Sequence, residues 1–112
     1  MMATFCLPSA ASAVNDFRPG EEMIFPLKSK GVSEQMVKAF SVNCKSKVSE
    51  RTAACEALLQ KRGAECSAIP PEVFDDKGEY RLWAGQFTKC IFPKPICAGV
   101  EVSSAAECAV QE

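Results

Sequence analysis

Cysteine is the residue type in this sequence with the greatest capacity for chemistry. The 112-residue chain holds seven cysteines and no histidine. Six of them follow residue 40: Cys44, Cys55, Cys66, Cys90, Cys97 and Cys108. Such a density is typical of oxidising compartments, where three disulfides would each stabilise the fold by about 2–4 kcal/mol. More than a dozen pairings are possible on paper, and the sequence does not choose among them.

The spacing of the cysteines argues against a metal site and against redox catalysis. A zinc site without histidine needs four cysteines, usually in pairs that are two to four residues apart. The closest pair here, Cys90 and Cys97, has six residues between its members. The sequence also lacks the Cys-x-x-Cys motif of disulfide oxidoreductases. We therefore expect structural disulfides, no metal and no cofactor.

The absence of histidine also removes most hydrolase mechanisms. Ser-His and Cys-His nucleophile systems are excluded, and so is the commonest general base. The remaining candidates are two serine–lysine pairs and one carboxylate pair: Ser29-Lys30, Ser46-Lys47, and Asp75 with Glu79. Solvated lysines and ordinary turn chemistry account for these residues equally well. We expect a protein that is not an enzyme.

The first thirteen residues differ from the rest because they contain no charge. They end in Ala11-Ser12-Ala13 and resemble the end of a secretory signal peptide, although no basic residue precedes Arg18. Cleavage after Ala13 would remove Cys6 and leave an even number of cysteines. The interpretation is a signal-peptide remnant at 1–13 and one disulfide-rich domain at 14–112, in the periplasm or secreted. The alternative is an ordinary N-terminal segment.

Two helices are predicted in the N-terminal half. The first begins at Ser33, a favourable N-cap residue, with Val32 and Val37 at the positions of a hydrophobic staple. The second covers residues 49–62, and Gly63 is expected to end it.

A break near residues 45–48 should separate these two helices. One continuous helix would turn its apolar stripe away from a single face. It would also place Cys44 and Cys55 about 16 Å apart, whereas the Cα atoms of a disulfide lie within about 7 Å. These two cysteines are therefore expected to pair only across a turn.

The second half of the chain carries strand and turn signals. An edge strand or extended arm is expected at Glu22–Lys28, and a hairpin is expected from Val73 to Phe92 with its turn at residues 75–78. Residues 96–102 suit a further short strand, and a capping box at 104–107 opens a final helix that carries the last cysteine. The predicted class is α+β: a small disulfide-stabilised single domain with two helices in its N-terminal half, a β-hairpin and a short C-terminal helix.

A short segment of the second helix resembles a known family. Residues 54–59, Ala-Cys-Glu-Ala-Leu-Leu, with Glu65-Cys66-Ser67 are similar to a stretch in TrbM-type periplasmic proteins of bacterial conjugation systems. The likeness is confined to residues 54–67. It implies an accessory protein associated with the cell envelope.

Charge is distributed unevenly along the chain. Residues 28–62 contain eight Lys and Arg against three Glu, a balance of +5, which leaves five against eleven, or −6, elsewhere. We expect a basic face formed by Lys38, Lys45, Lys47 and Arg51 to bind another protein, with an anionic membrane surface as a weaker possibility. A merely solvated helix face is the alternative. The net charge of −1 argues against a nucleic-acid partner.

A second candidate surface lies near the last cysteines. Lys94 is a candidate contact residue because it lies between two prolines in the loop 92–96, which separates Cys90 from Cys97. Trp83 is a candidate because it would form an aromatic recognition patch with Tyr80 and Phe87. Tyr80, Trp83 and Phe87 would alternatively belong to the core. The sequence thus predicts an exported binding protein: an accessory or assembly factor of a bacterial envelope, secretion or conjugation system, or else an inhibitor, immunity protein or effector that presents the loop. No run of residues is long and apolar enough for a transmembrane segment.

Overall fold

The computed structural model describes residues 13–110, where three α-helices are joined by short strands and 3-10 turns. The helices are α1 (Ser29–Phe40), α2 (Ser49–Cys66) and α3 (Lys77–Ile91). The strands are β1 (Leu27–Lys28), β2 (Val73–Phe74), β3 (Ile96–Cys97) and β4 (Val100–Glu101). They form two antiparallel pairs, β1 with β2 and β3 with β4. The predicted α+β class is confirmed. The expected leader, including Cys6, lies outside the described residues apart from Ala13.

The predicted break between the first two helices is present. A 3-10 turn at Ser41–Cys44 follows α1, and the chain becomes extended at Lys45 before α2 begins at Ser49. The Cys44–Cys55 disulfide spans this connection with a Cα separation of 5.4 Å. Pairing across a turn is therefore confirmed.

Helix α1 begins four residues earlier than the sequence predicted. The first amide, that of Ser29, donates to the carbonyl of Glu72 at 2.9 Å, so a neighbouring segment satisfies a group that a cap would otherwise satisfy. The hydroxyl of Ser33, the predicted N-cap, instead donates to the carbonyl of Lys30 at 2.8 Å inside the helix. Tertiary contact replaced side-chain capping at this terminus.

The prediction that Gly63 ends α2 was wrong. The helix continues to Cys66, and Gly63 is buried where α2 packs on α1. Gly63 does not adopt the αL conformation of a helix stop. Its lack of a side chain instead allows α2 to approach Val37 of α1 closely. The predicted last-turn residue Arg62 instead donates to the carbonyl of Ile91 at 3.0 Å, at the end of α3.

The predicted hairpin at 73–92 was also wrong, because most of it is α3. Asp76 accepts a hydrogen bond from the Glu79 amide at 2.9 Å, and the Glu79 carboxylate accepts one from the Asp75 amide at 2.7 Å. This reciprocal arrangement resembles a capping box and starts a helix where a hairpin turn was expected. The buried residues Trp83, Phe87 and Ile91 follow at helical spacing.

The N-terminal arm and the C-terminal segment are less regular than predicted. Of the expected strand at Glu22–Lys28 only β1 forms, and Asn15 of the arm makes a parallel bridge to Leu27. The predicted final helix is a 3-10 helix at Ala105–Val110. The carboxylate of Glu107 accepts from the amide of Ser103 at 3.1 Å, one residue before the predicted cap.

The core lies between the three helices and is centred on aromatic side chains. Trp83 stacks on Phe87 with ring centroids 4.7 Å apart and meets Phe74 edge to face at 5.1 Å. The indole nitrogen of Trp83 donates to the carbonyl of Ile69 at 2.9 Å, so its polar atom is satisfied inside the core. Leu59 of α2 completes the same buried cluster.

Candidate protein-binding surface

Three disulfides join the helices, strands and 3-10 turns of the described fold. Cys44–Cys55 joins the 3-10 turn to α2, Cys66–Cys90 joins the C-terminal ends of α2 and α3, and Cys97–Cys108 joins β3 to the final 3-10 helix. Their Cα separations of 5.4, 5.9 and 5.4 Å are those of ordinary disulfides. All six predicted cysteines are therefore paired.

Three of the four predicted basic residues lie on the connection between α1 and α2 or in the first turn of α2. We call residues 42–51 the basic tip. Lys45 and Lys47 follow the 3-10 turn, Arg51 lies in the first turn of α2, and all three are exposed. With Glu50 as the acidic residue of this segment, the tip carries a local charge of +2 from three cations and one anion.

The backbone of the basic tip is held by short-range hydrogen bonds. The amide of Lys45 donates to the carbonyl of Val42 at 3.4 Å, and the amide of Arg51 donates to that of Val48 at 3.0 Å. The amide of Val48 in turn donates to the hydroxyl of Ser46 at 3.0 Å. These bonds place each of two valines one turn away from a cation.

The β3–β4 hairpin contacts the tip at Asn43 and Arg51. Its two-residue turn, Ala98-Gly99, has positive φ at both positions, as a type I′ turn requires. The amide of Gly99 donates to the carbonyl of Asn43 at 3.0 Å. A Cβ atom on Gly99 would lie 3.0 Å from the carbonyl oxygen of Arg51, so the turn approaches the backbone of α2 closely. The tip therefore rests on both a disulfide and a docked hairpin.

Two apolar side chains on the tip were missed by sequence reasoning. Val42 is 59% exposed and Val48 is 40% exposed, although both belong to a residue type that is usually buried. The available signal was their position: each stands between two polar residues, Val48 at the end of the predicted helix break at 45–48 and Val42 three residues before it. With Lys45 and Arg51 they form a mixed apolar and cationic surface.

Lys38, the fourth predicted basic residue, lies on the side of the helical hairpin and not on the tip. It is exposed in the last turn of α1 and lines a groove of about 370 Å³ with Glu56 and Gln60 of α2. That groove continues into a wider one of about 610 Å³, which Phe17 of the arm borders. The structure thus separates Lys38 from the other three cations along the hairpin.

The two remaining predicted contact residues are not brought together. Trp83 is 1% exposed, so its assignment as a contact residue is corrected to a core residue. Lys94 is exposed between Pro93 and Pro95. The loop is anchored by Phe92, which packs edge to face on Phe40 with ring centroids 4.9 Å apart. Its flanking cysteines pair elsewhere, so no single disulfide closes the loop.

The charge of the chain is separated along the helical hairpin. Helix α2 begins at the tip and, with 18 residues, is about 27 Å long. Beyond its other end, the exposed acidic residues Glu72, Asp75 and Asp76 flank β2 and precede α3. Two cations of the 28–62 segment are neutralised by acids outside it: Lys28 with Asp16 at 3.5 Å and Arg62 with Glu101 at 3.0 Å. The basic tip and this acidic segment therefore lie beyond opposite ends of α2.

Residues 13–110 contain neither a metal-ligand cluster nor a helix that could cross a membrane. This part of the chain has no group of three or more potential metal-ligating side chains. None of its helices is both long and apolar enough to span a membrane. Comparisons with family models, with curated proteins and with solved structures found no match to this chain.

Proposed function

We propose that this protein is an exported, disulfide-stabilised module that binds another protein through its basic tip and performs no catalysis. The observation that carries the proposal is the pairing of all six cysteines after residue 40 into three disulfides. One of them, Cys44–Cys55, joins the tip to α2. Such pairing is consistent with an oxidising compartment such as the periplasm or the extracellular space.

The local contacts of the candidate catalytic residues support binding over catalysis. The carboxylate of Glu79 accepts from the Asp75 amide at the start of α3. The hydroxyl of Ser46 accepts from the Val48 amide. Ser29 is 5% exposed at the start of α1, where its amide donates to the Glu72 carbonyl. Each residue has a structural role that explains its presence. Together with the absence of histidine, this favours a protein that works by recognition.

The described contacts nearest to the expected cleavage site lie beyond it, as export requires. Asn15, two residues beyond Ala13, donates to the Pro26 carbonyl at 2.9 Å and accepts from the Lys28 amide at 3.0 Å. Cleavage after Ala13 would therefore leave these contacts intact. Intact mass of the protein recovered from its native host should show Val14 as the first residue, and a full-length cytoplasmic species with reduced thiols would contradict export.

Within that class, we propose an accessory or assembly factor of a bacterial envelope, secretion or conjugation system. Exposed charges contribute little to stability but strongly to association. Reversal of Lys45, Lys47 and Arg51 to Glu should therefore leave the melting temperature nearly unchanged and abolish capture of the native partner. The matched control reverses three exposed cations elsewhere: Lys61, Lys77 and Arg81. If both triple variants capture the same partner as the wild type at low salt, the tip is only a solvated surface.

A second candidate function is a secreted inhibitor, immunity protein or effector that inserts the proline-flanked loop into a target. The exposure of Lys94 between two prolines favours it, because such a loop loses little conformational entropy on binding. Capture that survives reversal of the tip but fails with Lys94→Ala would support this function.

A further inference from the structure

We infer that the basic tip recognises an acidic protein segment that also offers an apolar pocket, and that Val42 and Val48 are the anchors that enter it. This inference rests on the proposed function and names the chemistry of the partner. Each valine lies one turn from a cation through a backbone hydrogen bond, Val42 with Lys45 and Val48 with Arg51. The tip therefore carries two pairs within ten residues, each made of one exposed apolar and one exposed cationic residue.

The exposed valines distinguish this surface from a merely solvated one. A single exposed apolar residue, such as Leu82 of α3, is ordinary on a protein surface. Here two valines, 59% and 40% exposed, lie in one ten-residue segment and each has a cation one turn away. Burial of their remaining surface would add a favourable free energy of association that salt does not screen. The cations would supply steering and register toward carboxylates of the partner.

The charge pattern favours an acidic protein over an anionic membrane. A lipid surface offers about 1 kcal/mol per basic residue, and firm anchoring requires a substantial apolar insertion in addition. The tip has three cations, two valines and the exposed carboxylate of Glu50, which a flat anionic surface would repel. A protein partner, in contrast, can place a carboxylate at each cation and leave space at Glu50.

The contacts that hold the tip in place reduce the conformational entropy that would be lost on binding. The Cys44–Cys55 disulfide and the contact of Gly99 with Asn43 hold the tip on two sides. A surface that is already ordered loses little conformational freedom when a partner binds. The two valines are therefore presented in a fixed arrangement.

Site-specific photo-crosslinking in the native host tests the inference. A benzophenone amino acid is placed at position 42 or 48, at the exposed Leu82 of α3 as the control, and at Lys94 for the alternative loop. We expect one discrete protein adduct from positions 42 and 48 and none from Leu82, which is 69% exposed. Mass spectrometry should map the adduct to a partner segment with net negative charge and at least one apolar side chain.

Binding measurements with the crosslinked protein, once purified, separate the two contributions. Val42→Ser and Val48→Ser should each weaken affinity about fivefold, and this loss should persist in high salt because apolar contacts are not screened. The loss caused by Lys45→Glu should shrink as salt rises. Leu82→Ser should leave affinity unchanged. All four variants should stay folded with melting temperatures close to the wild type, but Val48→Ser should be slightly more stable because position 48 is the N-cap of α2, and Leu82→Ser slightly less stable because serine favours helices less than leucine does.

Each contrary outcome has a distinct meaning. A mapped segment without acidic residues, or valine variants that bind as well as the wild type, would overturn the inference while the proposed function stands. An adduct from position 94 alone would do the same and favour the loop. Absence of protein adducts from all positions would overturn both. Binding of the wild type to phosphatidylglycerol vesicles, lost with Val48→Ser, would replace the protein partner by an anionic membrane.

Discussion

Gly63 of α2 and Val37 of α1 touch so closely that position 63 has no space for a side chain. A Cβ atom at this position would lie 2.6 Å from Cγ2 of Val37, far inside van der Waals contact. Val37 is 6% exposed and β-branched, so it has little freedom to move away. This contact fixes the distance between the two helices that carry the basic tip.

Gly63→Ala should therefore destabilise the protein, although alanine favours helices. The steric clash costs about 1–3 kcal/mol, against a gain in helix propensity of about 1 kcal/mol or less. Gly85→Ala on α3 is the matched control, because nothing lies within 4 Å of its added Cβ and the same gain acts alone. Thermal unfolding should place the first variant below the wild type and the second above it. A first variant as stable as the second would show that the helices separate freely.

Trp83→Ala should cost stability and not specific binding. Truncation of a buried aromatic side chain typically costs about 3–5 kcal/mol, and here it also leaves the Ile69 carbonyl without its donor. Trp83→Phe should lose less because it keeps most of the volume. Denaturant unfolding measures both variants. If Trp83→Phe keeps wild-type stability but loses the partner, a role of this residue in recognition would have to be restored.

Asp76→Ala should destabilise α3 by about 1 kcal/mol, because it removes the side chain that accepts from the Glu79 amide at the helix N-terminus. Asp75→Ala removes an equal charge from the preceding residue while the backbone amide that bonds Glu79 remains. The difference in midpoint between these variants in urea unfolding isolates the cap from the charge. Equal midpoints would mean that Asp76 acts through charge alone.

The three disulfides should differ in their rate of reduction. Cys90 is exposed, whereas Cys44 and Cys55 are 0% and 3% exposed, and a thiolate must reach sulfur to attack it. Under limiting reductant we expect Cys66–Cys90 to open first and Cys44–Cys55 last. Alkylation followed by peptide mapping measures the order. Full reduction should lower the melting temperature by more than about ten degrees, since the disulfides contribute several kcal/mol.

Local sequence signals predicted the helix break at residues 45–48 correctly because one continuous helix would have turned its apolar stripe away from a single face. The pairing of Cys44 with Cys55 required a turn, and both the turn and the disulfide are present. The α+β class was predicted correctly because short strands are present within the expected segments 22–28 and 96–102, although most of the expected hairpin at 73–92 is helical.

The errors arose where distant contacts override local preference. Gly63 resembles a helix stop until the position of Val37 is known, and the start of α1 depends on a carbonyl of Glu72, which is remote in sequence. Helix α3 was missed for another reason, because Asp76 and Glu79 suit a turn as well as a helix cap. The spacing of Tyr80 and Trp83 would have distinguished them, because residues three apart share a face in a helix but lie on opposite faces of a strand, and both side chains pack in the core.

The connectivity of the disulfides has a consequence for biosynthesis. The six paired cysteines are joined in chain order, the first to the second, the third to the fourth and the fifth to the sixth. None of these three disulfide loops therefore encloses or crosses another. A chain that emerges N-terminus first from a translocation channel would expose both members of each pair before the next pair appears. Oxidation in order of emergence then yields the native pairing, and none of these bridges would need to be broken and reshuffled.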